Sequence, residues 1–166
     1  PGHYQATDFH TEPDASAATY LWAAELLTGG KIDIGTRAES FTQPDAKSYA
    51  VMAAFPHMPA EIDGSQMQDA VPTLAVLAAF NETPVRFTGI ENLRVKECDR
   101  TRALSLGLNA IRAGLAEEDG DDLIVHADPA LAGQRLSAEI DTFADQLIAM
   151  SFALAGLKIS GITILD

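Results

Sequence analysis

The residues of this chain most able to do chemistry lie together between positions 92 and 100. Lys96, Glu97 and Arg100 combine two cations with a carboxylate, a set that can bind an anionic substrate and transfer a proton. The segment follows an apolar run typical of a strand at Val85–Thr88 and leads into a helical pattern. A strand-to-helix turn offers free backbone N–H groups, and the helix dipole favours anions there. The same charges would also fit a solvated loop that ends in a helix cap.

The elements that must position this segment are apolar helices alternating with short strands. Asp14 has the chemistry of an N-cap and Gly29-Gly30 that of a helix end. The predicted helices cover residues 14–27, 44–54, 69–80, 99–115 and 141–154. The predicted strands cover residues 31–34, 60–62, 85–88, 123–126, 136–140 and a run from Lys158, with an acidic turn at 117–122.

A helix followed by a strand occurs three times, starting at Asp14, Asp69 and Asp141. Such recurrence indicates one supersecondary unit used repeatedly. We therefore predict an α/β fold in a single domain over residues 1–166. Its repeat units are expected over residues 14–64, 65–138 and 139–166, the last of them partial.

Composition narrows the possible functions. The chain has 166 residues, of which 47% are hydrophobic, and a net charge of −13. This charge argues against nucleic acid or an anionic membrane as partner. Cys98 is the only cysteine, so an internal disulfide is excluded. His3 and His10 are isolated histidines, and we predict no metal site. No apolar run approaches the roughly 18 residues needed to span a bilayer and no signal peptide is visible, so we expect a cytoplasmic protein.

The negative charge is also unfavourable for anionic substrates. The sequence starts Pro1-Gly2 without a methionine and stops at Asp166, directly after a strand pattern. We interpret the chain as an excerpt of a longer protein whose other part supplies further cations.

Four segments, in order, resemble those of the EPSP synthase family (5-enolpyruvylshikimate-3-phosphate synthase). Residues 93–100, Leu-Arg-Val-Lys-Glu-Cys-Asp-Arg, resemble the family's Leu-Arg-Val-Lys-Glu-Ser-Asp-Arg. Residues 69–76 resemble its Asp-Glu-Tyr-Pro-Ile-Leu-Ala-Val segment. Residues 14–20 resemble Asp-Ala-Ser-Ser-Ala-Ser-Tyr, and residues 140–145 resemble Ile-Asp-Thr-Tyr-Asn-Asp. Because the four segments are distributed along nearly the whole chain, we identify it as a member of this family.

The resemblance implies a domain of pseudo-threefold βαβαββ repeats, with helices inside and sheets outside. It implies an active site in the cleft between this domain and a second one, which the chain does not contain. The implied reaction, a step of aromatic amino-acid biosynthesis, transfers the enolpyruvyl group of phosphoenolpyruvate to the 5-hydroxyl of shikimate-3-phosphate. It needs no cofactor. A complementing N-terminal domain is the implied protein partner.

The resemblance also implies roles for individual residues. Asp69 matches the aspartate that contacts the shikimate hydroxyls and transfers a proton, although alone it would fit a helix N-cap. Glu97 matches the glutamate that moves a proton to and from the methylene carbon, and Lys96 the lysine near both substrates. Asn92 matches a residue that contacts shikimate-3-phosphate. Arg100 matches the arginine that binds phosphoenolpyruvate.

The other charged residues of the motif, Arg94 and Asp99, are expected to serve in structural pairing or helix capping. The chain departs from the family at Gln146 and Leu147, where the usual residues are His and Arg. That arginine is a second cation for phosphoenolpyruvate, and leucine offers neither charge nor donor. Such a loss typically costs about 2–5 kcal/mol of binding. The family has a further lysine, in a Lys-Thr-Phe-Pro-like segment, and its matching position lies beyond Asp166.

Three hypotheses follow. The first is that the chain is part of an EPSP synthase and has no activity by itself. The second, favoured by Leu147, is a non-catalytic folding or interaction domain that has lost the substrate chemistry. The third, an enolpyruvyl transferase acting on a UDP-sugar, is disfavoured by the Lys-Glu-Cys-Asp-Arg motif.

Overall fold

Helices and strands alternate along the chain in the computed structural model, which describes residues 2–165. The α-helices are α1 (Ala15–Thr28), α2 (Ser48–Met52), α3 (Val71–Ala78), α4 (Arg100–Ile111) and α5 (Gln146–Ala155). The β-strands are β1 (Glu61–Asp63), β2 (Val85–Thr88), β3 (Ala116–Asp119), β4 (Asp122–Val125), β5 (Arg135–Asp141) and β6 (Ser160–Leu165). The predicted α/β class is confirmed.

The first four strands form one sheet in the order β1-β2-β4-β3. Strands β1 and β2 run parallel because α3 crosses between them, whereas β4 pairs antiparallel with both β2 and β3. With α3 and α4 between these strands, the stretch from β1 to β4 is a βαβαββ unit. Strands β5 and β6 are also parallel and are joined through α5, which repeats the βαβ part. The threefold repeat itself stays a prediction.

The helices form the interior and the sheet covers it on one side. Every residue of α3 is buried, and α3 packs against α1, α4 and α5. Residues of β2 and β4 alternate between buried and partly exposed, as expected for a sheet with one face in the core. On the outer face Arg86 donates to Asp119 and Asp122. This arrangement agrees with helices inside and sheets outside.

Close packing of α4 against α5 depends on a residue without a side chain. A Cβ atom at Gly107 would lie 2.3 Å from Cζ of Phe152. Phe152 is fully buried on α5. Glycine therefore sets how closely these two helices approach.

The predicted strand at residues 31–34 is wrong. The segment is irregular and largely exposed, and within residues 2–165 no strand pairs with it. The N–H of Ile32 instead donates to the Glu25 carboxylate. An alternating pattern forms a strand only where a partner strand completes its hydrogen bonds.

Several predicted helices are shorter than expected. The helix predicted at 44–54 is a 3-10 helix at Pro44–Lys47 followed by α2. Asp69 lies inside a 3-10 helix at Gln68–Ala70 that leads into α3, so it is not an N-cap. The helix predicted at 99–115 ends at Ile111. The last helix starts at Gln146 rather than Asp141, because β5 runs through Asp141.

The acidic turn predicted at residues 117–122 is largely a β-hairpin. Strand β3 occupies Ala116–Asp119, and the turn itself is confined to Gly120 and Asp121. Like charges disfavour a strand in isolation, but arginines from neighbouring segments neutralise this one.

Candidate active site

The segment between β2 and α4 is a strand-to-helix turn, as predicted. A 3-10 helix at Glu91–Val95 follows β2. Asp99 then caps α4, because its Oδ1 accepts the N–H of Arg102 at 3.0 Å. Lys96 and Glu97 lie between these two structures, so their backbone is fixed at both ends.

Arg94 holds this loop against the β3–β4 hairpin. Its Nη1 donates to Asp99 at 3.0 Å and to Glu118 at 2.8 Å, and its Nε donates to Asp121 at 2.8 Å. Its Nη2 donates to the carbonyl oxygen of Gly120 at 2.6 Å. The hydrogen bond that Arg94 donates to Glu118 is the main cause that raises the pKa of the Arg94 guanidinium. These contacts fit the structural role expected for Arg94 and Asp99.

Arg100 lies at the centre of the site with only 2% of its side chain exposed. Its Nε donates to Oδ2 of Asp145 at 2.7 Å. Its Nη1 donates to Oδ1 of Asp69 at 2.9 Å, and its Nη2 to Oε2 of Glu97 at 2.5 Å. We call these four residues the Arg100 cluster. It joins carboxylates from three separate parts of the chain around one buried cation.

Asp145 is the buried anion of the cluster and also the N-cap of α5. Its Oδ1 accepts the N–H groups of Leu147 at 2.8 Å and Ile148 at 3.4 Å. Burial acts to raise the pKa of this carboxyl, but the hydrogen bonds from Arg100 and the backbone outweigh it, so the pKa lies below its ordinary value. Asp145 is therefore ionised at neutral pH.

Cys98 lies beside the same carboxylate, with Sγ 3.6 Å from Oδ2 of Asp145. Burial, and next the negative charge of Asp145, raise the pKa of its thiol to about 11. A protonated thiol is a poor nucleophile. The raised pKa therefore favours the protonated thiol at neutral pH.

Asp69 connects the Arg100 cluster to an open polar depression of about 410 Å³. Lys96 Nζ lies 3.2 Å from Asp69 Oδ1, the same oxygen that Arg100 contacts. Asn92 lies on the wall of the depression with Asp69 and Lys96. The five site residues predicted from sequence are therefore adjacent. The depression is lined by Pro44, Asp45, Ser65, Gln66, Gln68, Asp69, Asn92 and Lys96.

Two acidic residues of this region were missed as site residues from the sequence. Asp145 enters the sequence analysis only within the family segment 140–145, although an aspartate directly before an apolar helical run is a cap signal. Asp45 falls inside the helix predicted over residues 44–54. Its side chain accepts the N–H of Ala70 at 3.2 Å, a contact between distant parts of the chain that no local pattern reports.

The site is poor in positive charge. Four carboxylates, Asp45, Asp69, Glu97 and Asp145, face the two cations Lys96 and Arg100. Leu147, in the first turn of α5, is half-buried and adds no charge. Among the described residues, the site therefore carries more negative than positive charge.

Two general features concern the part of the chain that the structure describes. No group of acidic, histidine or cysteine side chains in residues 2–165 is arranged to hold a metal ion. None of the helices in this range has the length and apolar character needed to cross a membrane.

Comparison with known proteins gives a consistent result. A family model described as EPSP synthase (3-phosphoshikimate 1-carboxyvinyltransferase) matches residues 1–166. A 3-phosphoshikimate 1-carboxyvinyltransferase of Rhizobium etli (strain CIAT 652) is 78% identical over all of this chain and 40% of its own length. The enzyme of that name from Pseudomonas savastanoi pv. phaseolicola is 71% identical over 98% of this chain and 39% of its own.

A solved structure of EPSP synthase from Acinetobacter baumannii has 34% sequence identity and a TM-score of 0.49, covering 58% of this chain and 22% of its own. The chain spans about 40% of the length of the curated relatives it matches. By the family match along its whole length, the chain belongs to the EPSP synthase family.

Proposed function

We propose that this chain is part of a transferase that moves the enolpyruvyl group of phosphoenolpyruvate to the 5-hydroxyl of shikimate-3-phosphate. The observation that carries the proposal is the meeting of Asp69, Lys96, Glu97 and Arg100 beside one polar depression. The reaction needs a proton acceptor, a proton donor and cations in one place. The two substrates named in the proposal are those implied by membership of the EPSP synthase family.

Each residue has a part in the proposal that its surroundings allow. Asp69 faces the depression and accepts the hydroxyl proton as the 5-oxygen bonds to C2 of phosphoenolpyruvate. Glu97, whose side chain is 64% exposed, gives a proton to the methylene carbon and later removes one as phosphate leaves. Lys96 stabilises negative charge near both substrates, and Asn92 contacts shikimate-3-phosphate.

Arg100 binds phosphoenolpyruvate in this proposal, which requires it to exchange a carboxylate partner for the substrate. Asp145 is fully buried and holds α5, so it stays. Glu97 is the most exposed of the three partners, so its contact is the one that substrate replaces. Release from Arg100 also frees the Glu97 carboxylate for proton transfer.

The chain alone is proposed to be inactive, because it spans about 40% of its relatives and its site is short of cations. The remaining part of the enzyme, a complementing N-terminal domain, completes the substrate cleft. No nucleic acid, membrane or cofactor takes part, and the location is cytoplasmic.

A second candidate function is a non-catalytic EPSP-synthase-like domain that folds or binds partners without turnover. Leu147 is the specific observation in its favour, because it lies two residues after Asp145 where the family has a cation. In this reading the Arg100 cluster serves stability alone.

Calorimetric titration with shikimate-3-phosphate and then phosphoenolpyruvate tests the proposal, together with an assay of phosphate release. The chain is used alone and with the remaining part of the Rhizobium etli relative. We expect binding and turnover only in the mixture. Turnover by the chain alone would contradict its proposed incompleteness.

Leu147→Arg separates the two candidate functions, with Leu147→Ala as the matched neutral control. If the mixture is active and the arginine variant lowers the KM for phosphoenolpyruvate, roughly 30-fold or more for a regained charged contact, the transferase proposal stands. If neither the mixture nor the arginine variant turns over or binds, the non-catalytic domain is favoured.

A further inference from the structure

We infer that Asp45 is a positioning residue for Asp69: its carboxylate holds the helical turn that presents Asp69 to the depression. The inference rests on the proposed function, in which Asp69 accepts a proton. It is carried by hydrogen bonds that connect three segments far apart in sequence.

The turn that carries Asp69 has no cap of its own. Neither the 3-10 helix at Gln68–Ala70 nor α3 receives a hydrogen bond from its own N-cap side chain. The N–H of Ala70 is shared between the carbonyl oxygen of Met67 at 3.0 Å and Oδ1 of Asp45 at 3.2 Å. Asp45 thus supplies, from 25 residues away, the acceptor that a local cap would provide.

Asp45 is itself fixed by a neighbouring helix. Its Oδ2 accepts the hydroxyl hydrogen of Ser16, in the first turn of α1, at 3.0 Å. Its own backbone oxygen accepts the Ser48 hydroxyl at 2.6 Å. A half-buried carboxylate with both oxygens engaged has little freedom, so the turn bound to it has little freedom either.

Asp45 and Asp69 line the same depression, and their charges interact. Burial, opposed by the hydrogen bond from Ser16, and then repulsion from Asp69 raise the pKa of the Asp45 carboxyl. The fold therefore keeps a carboxylate whose charged form is disfavoured next to Asp69, the residue proposed to accept a proton. A displacement of about 1 Å in such a residue can reduce turnover on the order of a hundredfold.

The test compares Asp45→Ala, Asp45→Asn and the control Asp33→Ala. Asp33 also accepts a backbone N–H, that of Gly35 at 2.8 Å, but outside the depression. In the alanine variant of Asp45, NMR should show upfield movement of the Ala70 amide proton and a changed Asp69 carboxyl resonance. The asparagine variant keeps an acceptor for Ala70, so it should change less, and Asp33→Ala should change neither signal.

In the mixture with the Rhizobium etli part, Asp45→Ala should lower kcat by about ten- to a hundredfold with little change in either KM. Asp45→Asn should restore most of the rate. Unchanged Ala70 and Asp69 signals, or an unchanged kcat, would overturn the inference. If the unmutated mixture has no turnover, the proposed function fails, and the two NMR signals alone decide whether Asp45 positions Asp69.

Discussion

Arg100 has one buried partner and two partly exposed ones. Asp145 shares its burial and caps α5, whereas Asp69 and Glu97 reach toward solvent. A buried cation needs a buried anion, so the Arg100–Asp145 pair holds the site together. Asp69 and Glu97 are the carboxylates to which the proposed function gives contact with substrate.

Asp145→Asn should destabilise the protein by about 3 kcal/mol at neutral pH, because it leaves the buried guanidinium of Arg100 with partly exposed carboxylates but without its buried counter-ion. Since folding lowers the pKa of Asp145, its ionised form contributes stability above the ordinary aspartate pKa. That contribution is lost as pH falls through the lowered value. Urea unfolding from pH 7 downward should therefore show the two proteins converging in acid. A difference that is constant with pH would contradict this assignment.

Local sequence is enough to predict Lys96, Glu97 and Arg100 as candidate site residues, and the family resemblance adds Asp69, but neither predicts Asp145 as a partner of Arg100. Lys96, Glu97 and Arg100 are close in sequence, so their meeting needed only a turn. Asp145 lies 45 residues from Arg100, and no local pattern encodes which buried anion a cation will meet. Only the packing of α5 on α4 brings them together.

Among the elements, the loop from β2 to α4 depends on the contacts of Arg94. Replacement by lysine keeps the charge but loses the planar set of donors that reaches Asp99, Glu118 and Asp121 together. We expect Arg94→Lys to cost about 1–2 kcal/mol in urea unfolding.

The control for this prediction is Arg102→Lys. Arg102 is largely exposed and makes a single 3.2 Å contact with Glu118, so the change should stay within about 0.5 kcal/mol. Equal effects of the two substitutions would show that Arg94 contributes no more than an ordinary surface charge.

Packing of α4 on α5 depends on the absence of a side chain at Gly107. Gly107→Ala gains about 1 kcal/mol of helix propensity but places a Cβ against the Phe152 ring. Overpacking costs about 1–3 kcal/mol, so net destabilisation is expected in thermal unfolding. Adding Phe152→Leu should recover part of the loss introduced by alanine, and strict additivity of the two changes would contradict a direct clash.

Elements were predictable where their own residues decide the structure. Strand β2 is predicted with its observed bounds because its own four residues alternate between apolar and polar side chains. Residues 31–34 have a similar pattern but find no partner strand within residues 2–165. Strand β3 was missed because its carboxylates suggested a turn, and the arginines that neutralise them lie elsewhere in the chain.

For the whole molecule, the ordered body begins close to Glu12. Residues 2–11 are exposed and contain no helix or strand, whereas Glu12 accepts the N–H of Thr42 at 2.8 Å. Deleting residues 1–11 should therefore change the unfolding free energy by less than about 0.5 kcal/mol.

Extending the deletion through Asp14 removes the cap of α1, whose side chain accepts the N–H of Ser16 at 2.9 Å. This longer deletion should cost about 1 kcal/mol or more. Comparison of the two truncated chains by thermal unfolding checks both statements, and equal stability would place the boundary after residue 14.

The distance along the chain between Arg100 and Asp145 has a consequence during synthesis. At ribosomal elongation rates of about 5–20 residues per second, the separation of 45 residues takes about 2–9 seconds to translate. Strands β3 and β4 emerge in that time and join β1 and β2, which precede Arg100. The four-stranded sheet can therefore pair while α4 still lacks its buried counter-ion. Nascent chains stalled before Asp145 should leave α4 open to protease, and chains stalled after α5 has emerged should protect it.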